Sequence, residues 1–275
     1  MNPIKADCHL HSSLSGDGLA PMEDMVKKGI QLGLKQMCMT EHMDYFYKDE
    51  AGNLSDEFIL DVEAYEKELF RLKEKYNRQI TLNFGIELGL HPSVTEKNKA
   101  LISAYPFDFV IGSSHMCHDF DPYFPGFYEN RTDKEAYEEY FLSLMENAKG
   151  FSDFDVYGHL DYVVRYGRTK NRDYHYEDYR DIFDELLLYL IENRKGIECN
   201  TAGLNPKYQL GEVHPSREIL RRYLELGGEI LTIGSDAHCP EHMCYGFEQA
   251  AGILRDCGFR YYAVFHNRKP EFFPL

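Results

Sequence analysis

Apolar residues along this chain fall into short runs separated by longer stretches with helical spacing. The runs at 4–9, 36–40, 80–87, 107–113, 156–159, 196–200, 230–235 and 262–265 read as strands. Between them, Met22, Met25, Val26 and Ile30 keep to one helical face behind Pro21, a residue favoured in a first turn. The stretch 56–76 repeats apolar residues at 58, 59, 62, 65, 69 and 72, and 134–148, 176–192, 216–226 and 242–257 read similarly. Strands alternating with helices imply parallel βα units, hence an open doubly wound sheet or a barrel. Two irregular stretches, 117–132 and 162–175, exceed ordinary loop lengths and are candidate functional loops. No Pro/Gly/Ser-rich linker or repeat divides the chain, so a single domain over 1–275 is expected.

Composition narrows the partners. Lys and Arg number 30 against 46 Asp and Glu, a formal charge of −16, which lacks the basic footprint of a nucleic-acid binder. No run approaches the length of a membrane span, and acidic and His residues come too early for a signal peptide. The 7 cysteines are odd in number, form no CxxC pair and mostly sit in apolar runs, as expected of a protein kept reduced in the cytoplasm. Oligomeric state is not legible.

The ends of the strands carry the chemistry. His9 and His11 follow the first strand, Glu41 and His42 the second, and Glu87 closes the third. His115 follows the fourth, His159 closes the fifth, and Asp236 and His238 follow the seventh. In a parallel barrel all strand C-termini share one face, so residues scattered along the sequence would converge there. Each piece alone has a bland explanation, such as solvated histidines in HxH or a structural His in IGSSH. An acidic residue inside an apolar strand, like Glu87 in NFGIELGL, is rarely buried without a partner. Taken jointly, a His-rich set with a few carboxylates suits transition-metal binding.

The segments DCHLHSSLSGDG, TEHMDY, GIELGL, GSSH, GHLDY and GSDAH resemble, in order, the motifs of the PHP (polymerase and histidinol phosphatase) superfamily. GHLDYVVRYG, ECNTAGL and the terminal RKPEFFPL are similar to its monofunctional histidinol-phosphate phosphatases. The resemblance implies an α/β fold, a distorted (β/α)7 TIM-like barrel with its metal site at the C-terminal ends of the strands. It implies two or three divalent transition-metal ions (zinc, iron or manganese) on His9, His11, Asp17, His42, Glu87, His115, His159, Asp236 and His238. Spacing alone would read Asp17-Gly18 as a plain turn. Three divalent ions against three carboxylates would leave a pocket of about +3, suited to a phosphate dianion inside an acidic protein.

The implied reaction is hydrolysis of L-histidinol phosphate to L-histidinol and phosphate, in histidine biosynthesis, by a metal-bridging hydroxide. Arg165 and Arg168, in the loop after GHLDY, are candidate phosphate contacts, since guanidinium suits bidentate binding. His266 is a candidate phosphate contact or proton donor; Asp236 and His238 could also protonate the leaving group, but metal ligation competes for their lone pairs, so the general acid is unassigned. Asp44, Tyr45, Asp161 and Asn200 are candidates for the substrate's ammonium and imidazole. The stretch CHDFDPYFPGFYEN is either a lid or packing over a barrel edge. His91, His118, His175, His214 and His242 match no motif and are treated as non-ligands. The alternatives are a phosphoesterase of the same superfamily acting on another small ester or nucleotide, and a catalytically silent metal- or partner-binding module.

Overall fold

A computed structural model describes residues 4–275. Seven parallel strands form the frame: β1 (Ala6–Leu10), β2 (Gln36–Met39), β4 (Thr81–Gly89), β5 (Phe109–Ser113), β6 (Val156–Tyr157), β7 (Gly196–Asn200) and β8 (Leu231–Gly234), hydrogen-bonded in that order. The two-residue strand β3 (His42–Met43) adds to β4. The barrel closes only at its C-terminal end, where the His11 N–H donates to the Ala237 carbonyl and the Asp236 N–H to that of His9. This is the distorted (β/α)7 barrel expected, with strands buried along their length because helices cover the outside.

The helices are α1 (Met22–Leu32), α2 (Val62–Tyr76), α3 (Thr95–Ala104), α4 (Asp133–Gly150), α5 (Arg180–Glu192), α6 (Arg217–Glu225) and α7 (Phe247–Cys257). Their starts correct the sequence reading. The α2 helix begins at 62 rather than 56 because the Asp61 carboxylate caps it, accepting from the Ala64 N–H. The α7 helix begins at 247 because Cys244 and Gly246 take left-handed backbone angles that helix cannot continue through. Only α3 has no counterpart in the apolar pattern, since Asn98 and Leu101 are its only buried residues.

The last strand differs in kind. Tyr261–His266 (β9) pairs antiparallel with Lys269–Pro274 (β10), outside the barrel sheet. The turn of this hairpin reaches the N-terminal ends of β5 and β6. There the Asn267 and Arg268 N–H groups donate to Asp108, and the Arg268 guanidinium binds Asp155. The hairpin therefore floors the barrel, and His266 lies at the end opposite the strand C-termini.

Candidate metal centre

The C-terminal ends of the strands bring His9, His11, Asp17, His42, Glu87, His115, His159, Asp236 and His238 into one cluster. Glu87 is at its centre and fully buried. Its Oε2 lies 3.2 Å from His9 Nε2, 3.5 Å from His11 Nε2 and 2.9 Å from His42 Nδ1. Its Oε1 lies 3.3 Å from His115 Nε2 and 3.0 Å from His159 Nε2. Asp236 Oδ1 sits 3.5 Å from His11 Nε2, while Asp17 Oδ2 sits 3.1 Å from His238 Nε2. Period-two alternation along β1 and beyond puts both imidazoles of HxH on the inner face. Gly234 permits the approach of β8 to β1: a Cβ there would sit 2.3 Å from that of His9.

The outer hydrogen bonds set the tautomers. His9 Nδ1 donates to Glu198 at 2.6 Å, His115 Nδ1 to Asp44 at 2.9 Å, and His238 Nδ1 to the Asp236 carbonyl at 3.0 Å. His11 Nδ1 donates to Ser15 Oγ, whose own proton goes to Glu41. Each of these rings therefore turns an Nε2 lone pair inward. Buried His9 Nε2, His11 Nε2, His42 Nδ1 and Glu87 Oε2 have no hydrogen-bond partner, a costly arrangement unless a cation accepts them. Three ligand atoms come within 4.8 Å of one another in His9/His11/Asp236, in His11/His42/His238 and in Glu87/His115/His159. This donor set fits divalent transition metals.

Electrostatics agree. Burial opposes charge on Glu87, yet His9, His115 and His42 hold its carboxyl well below the usual range. Burial likewise disfavours a charged His9, but the Glu198, Glu87 and Asp236 carboxylates raise it well above ordinary histidine. Burial and the neighbouring His42 and His238 push His11 well below. The pocket demands positive charge that its imidazoles cannot all supply together, and metal ions would supply it.

Above the cluster opens an inner chamber of about 110 Å³, continuous in its lining with an outer one of about 400 Å³. Arg165 forms the inner wall. It is buried, its Nη1 and Nη2 lie 3.2 Å from Asp236 Oδ2, and Nη2 lies 3.2 Å from Asn200 Oδ1. The Tyr162 and Tyr208 rings flank its guanidinium at 5.3 and 5.2 Å. Asn200 also donates to Glu198 and Asp236, so it ties the two carboxylates together. The 117–130 stretch divides: Asp121 and Tyr123 line the cleft, whereas Phe127 and Tyr128 pack into the core.

Four expected contacts are not brought here. His266 is at the barrel floor. Arg168 pairs with Asp133 and the Arg131 carbonyl outside the cleft, because the chain turns at Gly167. Asp161 is consumed by His214 Nδ1, the Tyr174 hydroxyl and the Ser216 N–H, which anchor the 214–216 segment. Tyr45 faces Lys97 and does not line either chamber. Glu198 was missed. Its signal was the one used for Glu87, an acid within an apolar strand, placed two residues before Asn200 and so on the same face.

Comparison with known proteins agrees with this geometry. The PHP domain family matches residues 7–202. A Clostridium acetobutylicum protein named "Probable histidinol-phosphatase" is 32% identical, covering 97% of this chain and 96% of that one. The "Histidinol-phosphatase" of Lactococcus lactis subsp. lactis is 30% identical, covering 96% of each. A crystal structure of the Lactococcus lactis histidinol phosphate phosphatase, in complex with zinc, L-histidinol and phosphate, superposes with a TM-score of 0.87. It is 30% identical and covers 97% of this chain and 98% of its own.

Proposed function

The chain belongs to the PHP domain family, and on that premise we infer that it is a metal-dependent phosphomonoesterase that hydrolyses L-histidinol phosphate to L-histidinol and phosphate. The observation that carries this reading is the set of inward Nε2 lone pairs around Glu87, roofed by a chamber with one buried guanidinium. The Lactococcus lactis relative, whose structure holds zinc, L-histidinol and phosphate, supplies the substrate.

His9, His11, Asp17, His42, Glu87, His115, His159, Asp236 and His238 would hold two or three ions, of zinc, iron or manganese. Divalent ions in this place neutralise phosphoryl oxygens and lower the pKa of water. Glu198, Asp44, Ser15 and the Asp236 carbonyl orient the imidazoles that would bind them. Arg165, already clamped between two tyrosine rings, presents its guanidinium to the phosphate with little ordering left to do. Asp236 and His238 line both chambers, so they stand beside a leaving group that points outward, but metal ligation competes for the lone pairs with which they would carry its proton. Tyr47, Phe58, Tyr162, Tyr166 and Tyr208 enclose the organic part and limit water around it.

A single domain, a place in histidine biosynthesis and a cytoplasmic location complete the reading. All 7 cysteines are free, and no helix of the described residues is long and apolar enough to cross a membrane. The test is phosphate release from a panel of phosphomonoesters by metal-analysed protein, with and without chelator. Chelator-sensitive preference for histidinol phosphate is expected. Sensitive activity spread over other esters would keep the metals and discard the substrate; no activity with metal bound would discard the enzyme.

A further inference from the structure

Outside the nine-residue cluster, a second set of ligand-type side chains meets shortly after β5. Cys117 and Phe120 exchange both backbone N–H···O=C bonds across a two-residue turn, where His118 takes a left-handed φ of 52°. In an extended strand consecutive side chains face opposite ways, but this turn brings His118 Nδ1 to 3.9 Å from Cys117 Sγ. The facing helix α4 adds Glu139 and Glu146, two turns apart on one side. Glu139 Oε1 lies 3.3 Å from His118 Nδ1, and Glu146 Oε2 lies 3.4 Å from His118 Nε2.

One ligand atom each from Cys117, His118 and Glu139 falls within 4.8 Å of the other two. Zinc–ligand bonds at tetrahedral angles hold sulfur and nitrogen about 3.6 Å apart, and nitrogen and oxygen about 3.3 Å apart. The observed separations of 3.9 and 3.3 Å therefore close on an ion with little side-chain movement. With the ring proton on Nε2, beside Glu146, the Nδ1 lone pair turns between the thiol and Glu139, the arrangement by which an outer carboxylate orients a metal-bound imidazole. Arg131 engages Glu139 Oε2 and leaves Oε1 available. Charge balances as well: the two carboxylates and a Cys117 thiolate would face one guanidinium and one divalent ion.

We propose that Cys117, His118 and Glu139 bind a zinc-class divalent ion at a site separate from the catalytic cluster, the thiol proton leaving to solvent as the ion binds. Thiolate, imidazole and carboxylate together suit zinc, and water completes the tetrahedron. The Cys117 side chain is buried, whereas those of His118 and Glu139 are 52% and 43% exposed, so the open position meets solvent. None of the three lines either chamber above the catalytic cluster. Because the ligands come from the 117–120 turn and from α4, the ion ties the root of the cleft loop to that helix. The proposal goes beyond the phosphatase reading and stands without it.

The probe is cobalt(II), titrated into the full-length, metal-analysed protein. The catalytic cluster offers no sulfur, so a thiolate-to-cobalt charge-transfer band in the near ultraviolet reports this site. The band should saturate at one equivalent and be bleached by zinc. Cys117→Ser should abolish it, and so should His118→Asn, which alters an exposed residue and tolerates the left-handed backbone. Glu146→Gln should weaken cobalt binding by about 10- to 100-fold, the usual effect of losing an orienting partner. Cys239→Ser, which removes a partly exposed thiol of the outer chamber, should keep the band.

No band in wild type would leave His118 with ordinary carboxylate pairs and overturn the proposal. A band that survived Cys117→Ser or His118→Asn, or vanished with Cys239→Ser, would overturn it too. If Cys117→Ser failed to fold, His118→Asn would decide. Phosphatase activity enters none of these readouts, so the two readings fail separately.

Discussion

His9 Nδ1 lies 2.6 Å from Glu198 Oε1, with both side chains closed off from solvent. The same carboxylate accepts from the His159 N–H and from Asn200 Nδ2 through Oε2. One buried acid thus fixes the tautomer of His9, the backbone before the His159 ring, and the amide that reaches Arg165. Glu198→Gln keeps the shape but offers only one acceptor oxygen and removes the charge. It should lower metal affinity by about 10- to 100-fold, the usual cost of losing such an orienting partner. Metal content after dialysis against graded chelator checks this; retention equal to wild type would contradict it.

Arg165 shares Asp236 Oδ2 between its two terminal nitrogens. Arg165→Ala should reduce kcat/KM by about 10²–10³-fold, by analogy with removal of one preorganised charge-stabilising donor. It should also weaken inhibition by inorganic phosphate. Arg165→Lys should recover only a small part, because an ammonium cannot span Asp236, Asn200 and a phosphate with one planar fork. Steady-state kinetics with phosphate inhibition separate these outcomes.

Arg168 and His266 serve as controls for the geometry. The Arg168 side chain is 59% exposed and pairs with Asp133, so Arg168→Ala should cost at most about 1 kcal/mol in stability. Its turnover should stay within about threefold of wild type, since surface changes away from a site are usually small. His266→Ala, at the barrel floor, should behave likewise. A large kcat loss in either variant at normal stability would place it back in the chemistry.

Asp7 is fully buried and accepts from the Ser235 N–H and hydroxyl and from the Cys244 N–H, beneath the turn that sets Asp236 in a left-handed conformation. Burial raises its carboxyl from 3.8 to about 6. Between those values the folded protein holds a proton that the unfolded chain releases, so this group's contribution to stability falls as pH rises through the window. Above about 6 the ionised carboxylate imposes its full penalty, on the order of 3 kcal/mol. Asp7→Asn removes the titration. Relative to wild type, the variant should therefore gain stability from pH 4 to 7, whatever constant loss the altered hydrogen bonds bring. Denaturant unfolding of metal-free protein at both pH values measures it; a pH-independent difference would refute it.

Much of this architecture is written locally. Alternation along β1 dictates that His9 and His11 share a face, and apolar strands ending in His or carboxylate residues announce a site at one mouth of a barrel. Helix onsets were less legible, because Asp61 and Gly246 act through cap geometry that an apolar pattern does not register. The α3 helix escaped because it buries so little.

Side-chain partners were the least legible, and the histidine-rich centre illustrates why. Residue type and strand position alone were enough to nominate Glu87 and the imidazoles, since period-two geometry and parallel strand order leave them few places to go. Whether an arginine or aspartate near a motif faces the cleft depends on a turn of a few residues. Arg165 turns inward to Asp236, Arg168 outward to Asp133, and Asp161 down to His214. The antiparallel pairing that sends His266 to the floor is likewise a long-range outcome. The sequence by itself determined the ligand types and the face they share, because backbone periodicity is local. Only the tertiary structure decided which charges neutralise one another and which are left for a substrate, because pairing depends on distances that close only when the barrel does.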